Sequence, residues 1–317
     1  MNKTNAVSRR KFLTGTGMLV AGLALNLRAE KLSVQEPIID IHQHTDYMGR
    51  TNEQLVAHQK AMGVTTTILL PAGTPAFGMS THQGKSNGLQ AKCSGNEACY
   101  ALAKQYPDSY LFGSNEVPDL QDAVKEIEKY LKLGAPIIGE LKFGVQCDSP
   151  EMQKIFQLAQ EYDVPVLMHW QYTMYNHDFD RFYKMLEKYP RVNFIGHAQT
   201  WWANIDKEHK DQNILYPKGK VTPGGLTDRL LADYPNMYAD MSAGSGLNAL
   251  LRDEAHSREF LARHQDKILY GSDCLDAEGH GPTCQGAQTI AAIRKLAPTK
   301  EIERKVLYEN AKKLFKL

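Results

Sequence analysis

This chain of 317 residues lacks an excess of either charge. Lys and Arg together number 37 and Asp and Glu number 36, so the formal net charge at pH 7 is +1. A nucleic-acid-binding protein needs clustered Lys and Arg to neutralise phosphates, and this balance therefore argues against such a partner. The hydrophobic fraction of 42% and the charged fraction of 23% are typical of a soluble globular protein.

Long apolar runs are scarce as well. The uncharged apolar stretch at residues 13–27 is interrupted by Gly15, Gly17 and Gly22, and it is shorter than the roughly 20 residues that a membrane-spanning helix needs. It follows the sequence SRRKFL at residues 8–13, which is a twin-arginine pattern. This layout is typical of an export signal peptide.

We therefore predict a twin-arginine signal peptide at residues 1–29, with processing after Ala29, and a single mature domain at residues 30–317. The expected location is the periplasm or the medium of a bacterium. The twin-arginine export machinery is then a partner, and the mature form has no stable membrane association. A membrane anchor or a buried N-terminal helix is the alternative interpretation of the first segment.

Cysteines are few and odd in number, at positions 93, 99, 147, 274 and 284. In an oxidising compartment Cys93 with Cys99, and Cys274 with Cys284, could close small loops. At least one thiol must stay unpaired within the chain. Five reduced cysteines buried as small hydrophobic residues are the alternative, and the sequence leaves both interpretations open.

The remainder of the chain alternates apolar runs with amphipathic stretches, which is typical of βα units around a parallel sheet. Eight strands are predicted, at 38–42, 65–70, 110–114, 137–142, 164–169, 192–197, 237–241 and 268–272. Eight helices are predicted between and after them, at 53–62, 96–105, 120–133, 151–161, 179–188, 226–232, 249–264 and 287–296. Eight such units favour an α/β fold of the TIM-like (β/α)8 barrel type over an open doubly wound sheet, and a last helix at 300–315 is expected to pack over the barrel.

Histidines and one acid fall at the ends of these strands. His42 and His44 are two residues apart on the first strand and so point the same way. His169 and His197 end the fifth and sixth strands, and Asp273 follows the eighth. Barrel enzymes build their active sites at the carboxyl ends of the strands. Imidazole and carboxylate ligands suit a divalent ion, zinc foremost, with manganese and iron as the other candidates.

This arrangement resembles the amidohydrolase superfamily, in particular its amidohydrolase-2 (amidohydrolase-related) branch. The resemblance runs from Asp40 to the closing sequence YENAKKLF at residues 308–315. It implies a catalytic divalent metal and a metal-activated water. Mapped onto this chain, it implies the metal ligands His42, His44, His169 and Asp273, with Asp273 and His197 as the catalytic residues.

The fourth strand leaves an alternative open. Glu140 and Lys142 share a face by alternation. In relatives with two metals this strand supplies a bridging Glu or a carboxylated Lys, so Glu140 is a further candidate ligand and Lys142 a candidate ligand or substrate-binding cation. The plainer interpretation is that Glu140 and Lys142 only adjust the local charge at the carboxyl ends of the strands. We expect one metal rather than two.

The expected substrate is a small organic molecule. Trp170, Tyr172 and Trp201 lie in loops after the fifth and sixth strands and could stack on it, or could simply pack against the barrel. Asp40 is a candidate to hydrogen-bond a ligand histidine. The favoured function is hydrolysis of a C–O or C–N bond in a lactone, ester or amide. Decarboxylation is the alternative function. A non-catalytic binding barrel and a nucleic-acid hydrolase are weaker alternatives. A homo-oligomer is a further candidate assembly.

Overall fold

Eight short, mostly apolar and buried strands carry the fold in the computed structural model, which describes residues 36–73 and 93–317. All pairings among them are parallel. They lie within the predicted segments or pass them by a single residue: β1 Ile39–Gln43, β2 Thr66–Leu69, β3 Tyr110–Phe112, β4 Ile138–Leu141, β5 Val166–His169, β6 Phe194–His197, β7 Met237–Asp240 and β8 Ile268–Leu269.

The strands follow one another in chain order, with β1 to β3 in one sheet and β4 to β8 in a second. Backbone contacts join the two sheets on both sides. Ser114 forms a parallel bridge with Ile138 between β3 and β4, and the Ile41 N–H donates to the Tyr270 carbonyl at 3.1 Å between β1 and the end of β8. The order and these contacts confirm the predicted TIM-like (β/α)8 arrangement.

Helices connect successive strands. In several of them the residue before the helix is an N-cap, whose side chain accepts a hydrogen bond from a backbone N–H of the first turn. Thr51 forms a reciprocal capping box with Gln54, and Ser149 accepts from the Met152 N–H. The α-helices are α1 Asn52–Met62, α2 Asn96–Gln105, α3 Ala123–Lys132, α4 Pro150–Tyr162, α5 Tyr183–Lys188, α6 Gln199–Ala203, α7 Leu226–Asp233, α8 Ala243–Leu251, α9 Glu254–Arg263, α10 Gln285–Leu296, α11 Lys300–Arg304 and α12 Asn310–Phe315.

The helices differ from the prediction in four places. The predicted helix at 179–188 is a 3-10 turn, Phe179–Arg181, followed by the shorter helix α5. The helix predicted at 249–264 is two helices, α8 and α9, because the Asp253 side chain accepts from the His256 N–H and so starts a new helix. Helix α6, directly after β6, was not predicted. The predicted helix at 300–315 contains a wider π-helical turn at Lys305–Glu309.

The amino ends of the strands form an apolar floor that α12 covers. Asn310 donates to the carbonyls of Gln265 and Ile268, where β8 begins, and this fixes α12 at that end. The buried floor side chains come from five strands, from the residues next to β2 and β4, and from α12: Ile39, Ile41, Ile68, Leu70, Ile137, Leu167, Ile195, Leu269, Ala311, Leu314 and Phe315. The opposite, carboxyl ends are left free for polar groups.

The predicted signal peptide at 1–29 lies outside the described residues. Within the described part of the chain, no helix combines the length and the apolar composition needed to cross a bilayer.

Candidate metal centre

Six titratable side chains from four strands, and from the segments directly after β1 and β8, converge at the carboxyl ends of the barrel strands. All are buried, apart from Asp273, whose side chain is 12% exposed. They are His42 from β1 and His44 directly after it, Glu140 from β4, His169 from β5, His197 from β6 and Asp273 just after β8. We call these six residues the rim cluster. The structure therefore brings together every predicted metal ligand and both predicted catalytic residues.

The two histidines at the end of β1 point their free nitrogens at each other. His42 Nδ1 lies 2.7 Å from Asp240 Oδ2, and His44 Nδ1 lies 2.7 Å from the Leu70 carbonyl oxygen. Both partners are acceptors, so each Nδ1 carries the proton and each Nε2 of a neutral ring presents a lone pair. The two Nε2 atoms are 3.2 Å apart. Facing lone pairs repel, so this geometry calls for a cation or a proton between them.

His197 presents its Nε2 to the same space. Ser242 Oγ donates to Asp240 Oδ2 at 2.7 Å and accepts from His197 Nδ1 at 2.9 Å. His197 Nε2 then lies 3.6 Å from Asp273 Oδ2. Neither His197 Nε2 nor Asp273 Oδ1 has a hydrogen-bond partner among the described residues, although both atoms are buried. Buried polar atoms normally have partners, so these two mark a place for a ligand.

Two carboxylates face these nitrogens. Glu140 Oε2 lies 3.6 Å from His42 Nε2 and 3.7 Å from His44 Nε2. Asp273 Oδ1 lies 3.5 Å from His44 Nε2. Burial alone would raise the pKa of both acids, but the neighbouring imidazoles, chiefly His169 and His42 for Glu140 and His42 for Asp273, hold each pKa well below its usual range.

The pKa of His42 also shows that these carboxylates favour a positive charge beside them. Burial favours the neutral ring, but Asp273, Glu140 and Asp240 outweigh it and raise the pKa of His42 well above its ordinary value. A divalent ion satisfies the carboxylates in the same way without protonating the rings. The donor atoms are also correctly spaced, because ligands about 2.0–2.2 Å from a tetrahedral ion lie about 3.3–3.6 Å from one another. The cluster therefore fits a divalent metal.

His169 reaches the cluster through Glu140. Its Nδ1 lies 2.5 Å from Glu140 Oε1, and its Nε2 lies 3.4 Å from Gln171 Oε1. Burial, and next the charge of Lys142, lower the pKa of His169 to about 4. Glu140, His169 and His197 form a second group that could hold an ion. That His169 shares one ion with His42, His44 and Asp273 stays a prediction.

Asp40 does not have the predicted role. It accepts from the His42 backbone N–H at 3.0 Å and from Gln59 of α1 at 2.9 Å, so it supports the strand rather than a ligand ring. The pairing of β1 with β2 shifts register between Asp40 and Gln43. Asp240, at the end of β7, is the acid that orients His42.

Two further contributors were not found from the sequence. Tyr47 lies edge-on to His44, with ring centroids 5.0 Å apart, and its hydroxyl interacts with the Asp273 carboxylate. The charge of Asp273, followed by burial, raises the pKa of Tyr47, so its phenol stays a hydrogen-bond donor. Cys93 interacts with the His44 ring. Neither residue lies on a strand, so no periodic pattern pointed to them.

The backbone around Asp273 is held in an uncommon conformation. Asp273 has a φ of +40°, in the left-handed region that non-glycine residues rarely adopt. Its N–H donates to the His42 carbonyl at 2.8 Å, which ties the end of β8 to the end of β1. Such conformations persist where the surrounding structure enforces them, often at functional sites.

The predicted substrate-binding tryptophans lie in the core. Trp201 is fully buried, and its ring packs on Gly196, where an added Cβ would come 2.5 Å from the ring. It stacks on Trp170 with centroids 5.6 Å apart and an interplanar angle of 22°. The expectation that the Trp201 ring stacks on a substrate is therefore wrong, and packing against the barrel describes it. Trp170 is 1% exposed and only borders the neighbouring cavity.

Tyr172 and Lys142 are better placed than the two tryptophans to contact a substrate. A cavity of about 160 Å³ beside His169 is lined by the segment that follows β5, including Gln171, Tyr172 and Tyr175. Tyr172 is 43% exposed. The Lys142 Nζ lies 5.5 Å from the centroid of the Tyr175 ring. Tyr175 links the cavity to the rim cluster, because its ring lines the cavity and lies edge-on to the His169 ring, with centroids 5.5 Å apart.

Solved structures similar to this chain share its fold at low identity. An uncharacterized TIM-barrel protein from Bordetella bronchiseptica is 14% identical, with a TM-score of 0.59 over 88% of this chain and 98% of that chain. A probable 2-pyrone-4,6-dicarboxylic acid hydrolase from Acinetobacter baumannii is 14% identical, with a TM-score of 0.54 over 88% and 99%. The 5-carboxyvanillate decarboxylase from Novosphingobium aromaticivorans, complexed with manganese, is 16% identical, with a TM-score of 0.52 over 84% and 80%.

A search of curated proteins found no match. The family model described as Amidohydrolase, of the amidohydrolase-2 type, matches residues 39–317. That range contains all eight strands and all six residues of the rim cluster. The chain therefore belongs to the amidohydrolase-2 family of metal-dependent barrel enzymes.

Proposed function

We propose that this enzyme hydrolyses a C–O or C–N bond in a small organic molecule such as a lactone, ester or amide. One divalent ion, most simply zinc, is held by His42, His44 and Asp273, with Glu140 or His169 completing the set. A bound divalent ion polarises a carbonyl group and lowers the pKa of water to about 7. The observation that carries the proposal is the pair of buried, unpartnered atoms, His197 Nε2 and Asp273 Oδ1, that face one space.

Asp273 moves the proton in this proposal. Its carboxylate is ionised because neighbouring imidazoles lower its pKa, so it can accept a proton from the attacking water and return it to the leaving group. Tyr47 stays protonated beside it and orients the carboxylate. His197 Nε2, 3.6 Å from Asp273 Oδ2, faces the same space and is placed to hydrogen-bond a developing oxyanion.

Glu140 divides the rim cluster into two halves. One oxygen faces the Nε2 atoms of His42 and His44, and the other faces His169 and His197. With one ion bound, the His169 Nδ1–H fixes the orientation of Glu140. A second ion would be held by Glu140, His169 and His197. Either form keeps the negative charge of Glu140 at the centre.

Decarboxylation is the second candidate, and Lys142 favours it. The Lys142 ammonium lies close enough to His169 to lower the pKa of that ring, beside the cavity lined by Tyr172 and Tyr175. A cation at this place would bind a substrate carboxylate. The similar structures include proteins named as a 5-carboxyvanillate decarboxylase and a probable 2-pyrone-4,6-dicarboxylic acid hydrolase. A carboxylate-bearing ring compound therefore suits both candidates.

The experiment is a substrate screen on metal-loaded protein. Lactones, esters, amides and aryl carboxylic acids are offered. Proton release from lactones and esters and free amine from amides are followed in parallel with release of carbon dioxide. Proton or amine release without carbon dioxide supports hydrolysis, and carbon dioxide release supports decarboxylation instead. Turnover that survives complete metal removal would contradict both.

The variant that tests the role of Asp273 is Asp273→Asn. We expect turnover to fall by about 10²–10⁴-fold, the usual contribution of an acid–base group, while the protein keeps much of its metal. Glu278→Gln, an exposed change in the same loop, is the matched control and should keep full turnover. An Asp273→Asn variant as active as the control would remove Asp273 from the mechanism.

We also propose that residues 1–29 direct export to the periplasm, as the sequence SRRKFL predicts. Replacing Arg9 and Arg10 by Lys should retain the full-length protein in the cytoplasm. Unchanged export of this double variant would contradict the twin-arginine route.

A further inference from the structure

A second group of potential ligands lies on the outer side of the β8 loop, away from the rim cluster. Cys284 Sγ is 3.8 Å from Cys274 Sγ and 3.4 Å from His58 Nε2. Asp276 Oδ2 is 3.9 Å from the same His58 nitrogen. Three of these four residues belong to the β8 loop and its junction with α10, and His58 belongs to α1.

We propose that Cys274, Cys284, His58 and Asp276 form a structural zinc site, separate from the rim cluster. The thiolates and the imidazole would be the main ligands, with the Asp276 carboxylate as the fourth. Each cysteine gives its thiol proton to solvent as the ion binds. The site stands on these contacts and does not depend on the reaction proposed above.

The spacing of the donor atoms supports tetrahedral zinc. With Zn–S about 2.3 Å and Zn–N about 2.0–2.1 Å, two tetrahedral sulfur ligands lie about 3.8 Å apart, and a sulfur and a nitrogen lie about 3.5–3.6 Å apart. The observed distances are 3.8 Å for Cys274 to Cys284 and 3.4 Å for Cys284 to His58. Asp276 Oδ2 also accepts from the Gly279 N–H at 2.7 Å and Oδ1 accepts from Thr283 Oγ1 at 3.0 Å, so the carboxylate is held in its loop beside His58.

Burial and charge favour thiolates at this place. His58 and Cys284 are fully buried and Cys274 is 2% exposed, so the group is sealed from water as structural sites are. Cys284 begins the 12-residue helix α10, and its sulfur accepts from the Ala287 N–H at 3.3 Å. The positive end of a helix stabilises a thiolate.

Arg50 supplies the balancing charge. Its Nη1 donates to the carbonyl oxygens of Cys274 and Asp276, at 2.8 Å each. Two thiolates, one carboxylate and Zn²⁺ together carry a single negative charge, and the guanidinium beside them offsets it. If the ion had only neutral ligands, the site would carry a net positive charge and would repel this guanidinium.

The loop geometry shows what such an ion would do. Cys274 follows Asp273 directly, and Gly279, with a φ of +78°, brings the loop against the His58 carbonyl of α1, where a Cβ would not fit. An ion joining α1, the loop and the start of α10 would hold the segment that carries Asp273. The proposed role is therefore positional, and the ion would touch no substrate.

The test is cobalt binding to the reduced protein after its metals have been removed with a chelator. Thiolate ligation of Co²⁺ produces a charge-transfer absorption in the near ultraviolet. We expect this band in the wild type and in Cys93→Ser, which removes the one thiol that contacts the rim cluster. We expect Cys284→Ser to lose the band and to bind one zinc fewer per chain. His42→Ala should keep the band, because His42 belongs to the rim cluster and not to this site. Failure of this proposal can therefore be distinguished from failure of the proposed function.

Two controls keep the test decisive. Circular dichroism must show that Cys284→Ser is folded; if it is not, Asp276→Asn replaces it and should bind zinc more weakly than the wild type. A band that persists in folded Cys284→Ser, no band in the wild type, or unreduced protein whose mass shows a Cys274–Cys284 disulfide would each overturn the proposal.

Discussion

The two ends of the barrel are built from the same eight strands and have opposite chemistry. At the amino ends, apolar side chains such as Ile41, Leu167 and Ile195 fill the interior, and α12 closes it with Phe315. At the carboxyl ends, buried histidines and acids face one another without enough protein hydrogen-bond partners. The floor is a packed apolar layer, whereas the rim is a set of buried charges that needs an ion.

The backbone differs in the same way. The strand-end segments at the rim contain non-glycine residues with positive φ, namely Ala198 at +82° and Asp273 at +40°, and Ala243 at +59° follows β7. The residues of the apolar floor contain none. Strain and buried charge cost stability, and a packed floor offsets that cost. A change at the rim should therefore lower turnover, and a change at the floor should lower the free energy of unfolding.

The largest effect is expected at the rim, for His42→Ala. This change removes a ligand nitrogen and should abolish stoichiometric metal at the rim. It should lower turnover by more than about 1,000-fold, since several kcal/mol of transition-state stabilisation come with the ion. Metal analysis and steady-state kinetics measure both. His280→Ala, an exposed change in the β8 loop, should alter neither, and a His42→Ala protein with normal turnover would break the comparison.

At the floor, Phe315→Ala should reduce the free energy of unfolding by about 3–5 kcal/mol, as expected for a buried phenylalanine. The loss arises from the cavity left under the strands, so the turnover of the protein that remains folded should stay near that of the wild type. Denaturant unfolding followed by circular dichroism gives the value. Leu317→Ala, at an exposed neighbour, should change the unfolding free energy by less than about 0.5 kcal/mol. Equal losses in the two variants would mean that α12 does not seal the barrel.

A smaller effect is expected for Asp240→Asn, which keeps the shape of the side chain but removes the charge that accepts from His42 Nδ1 and from Ser242. Metal affinity or turnover should fall by about 10–100-fold, as for other groups that orient a ligand histidine. A competition assay with a metal-binding dye measures the affinity. Asp266→Asn, at an exposed carboxylate, is the control. An unchanged affinity in Asp240→Asn would show that the tautomer of His42 is set elsewhere.

Much of the fold and most of the rim cluster could be predicted from the sequence, because both follow from strand periodicity. A parallel barrel places every strand end at one rim, so His169, His197 and Asp273 could be assigned to one site without coordinates. Glu140 was identified as a candidate by the same reasoning, and the structure places it between the histidines.

The missed features depend on departures from periodicity. Asp40 bonds to the His42 backbone N–H and to Gln59 instead of to a ligand ring, and no simple pattern marks those partners. The close approach of Trp201 to Gly196 depends on tertiary packing, and so does the contact of Tyr47 with Asp273. Asp240 ends a buried strand in the same way as His169 does, and that signal could have identified it.

The most direct test of the metal centre is anomalous diffraction from crystals of protein loaded with zinc or manganese, recorded at the absorption edge of that metal. We expect a peak about 2.0–2.2 Å from the Nε2 atoms of both His42 and His44 and from an Asp273 oxygen. A metal-loaded crystal with no peak between these three side chains, or with the two histidine rings turned apart, would contradict this expectation.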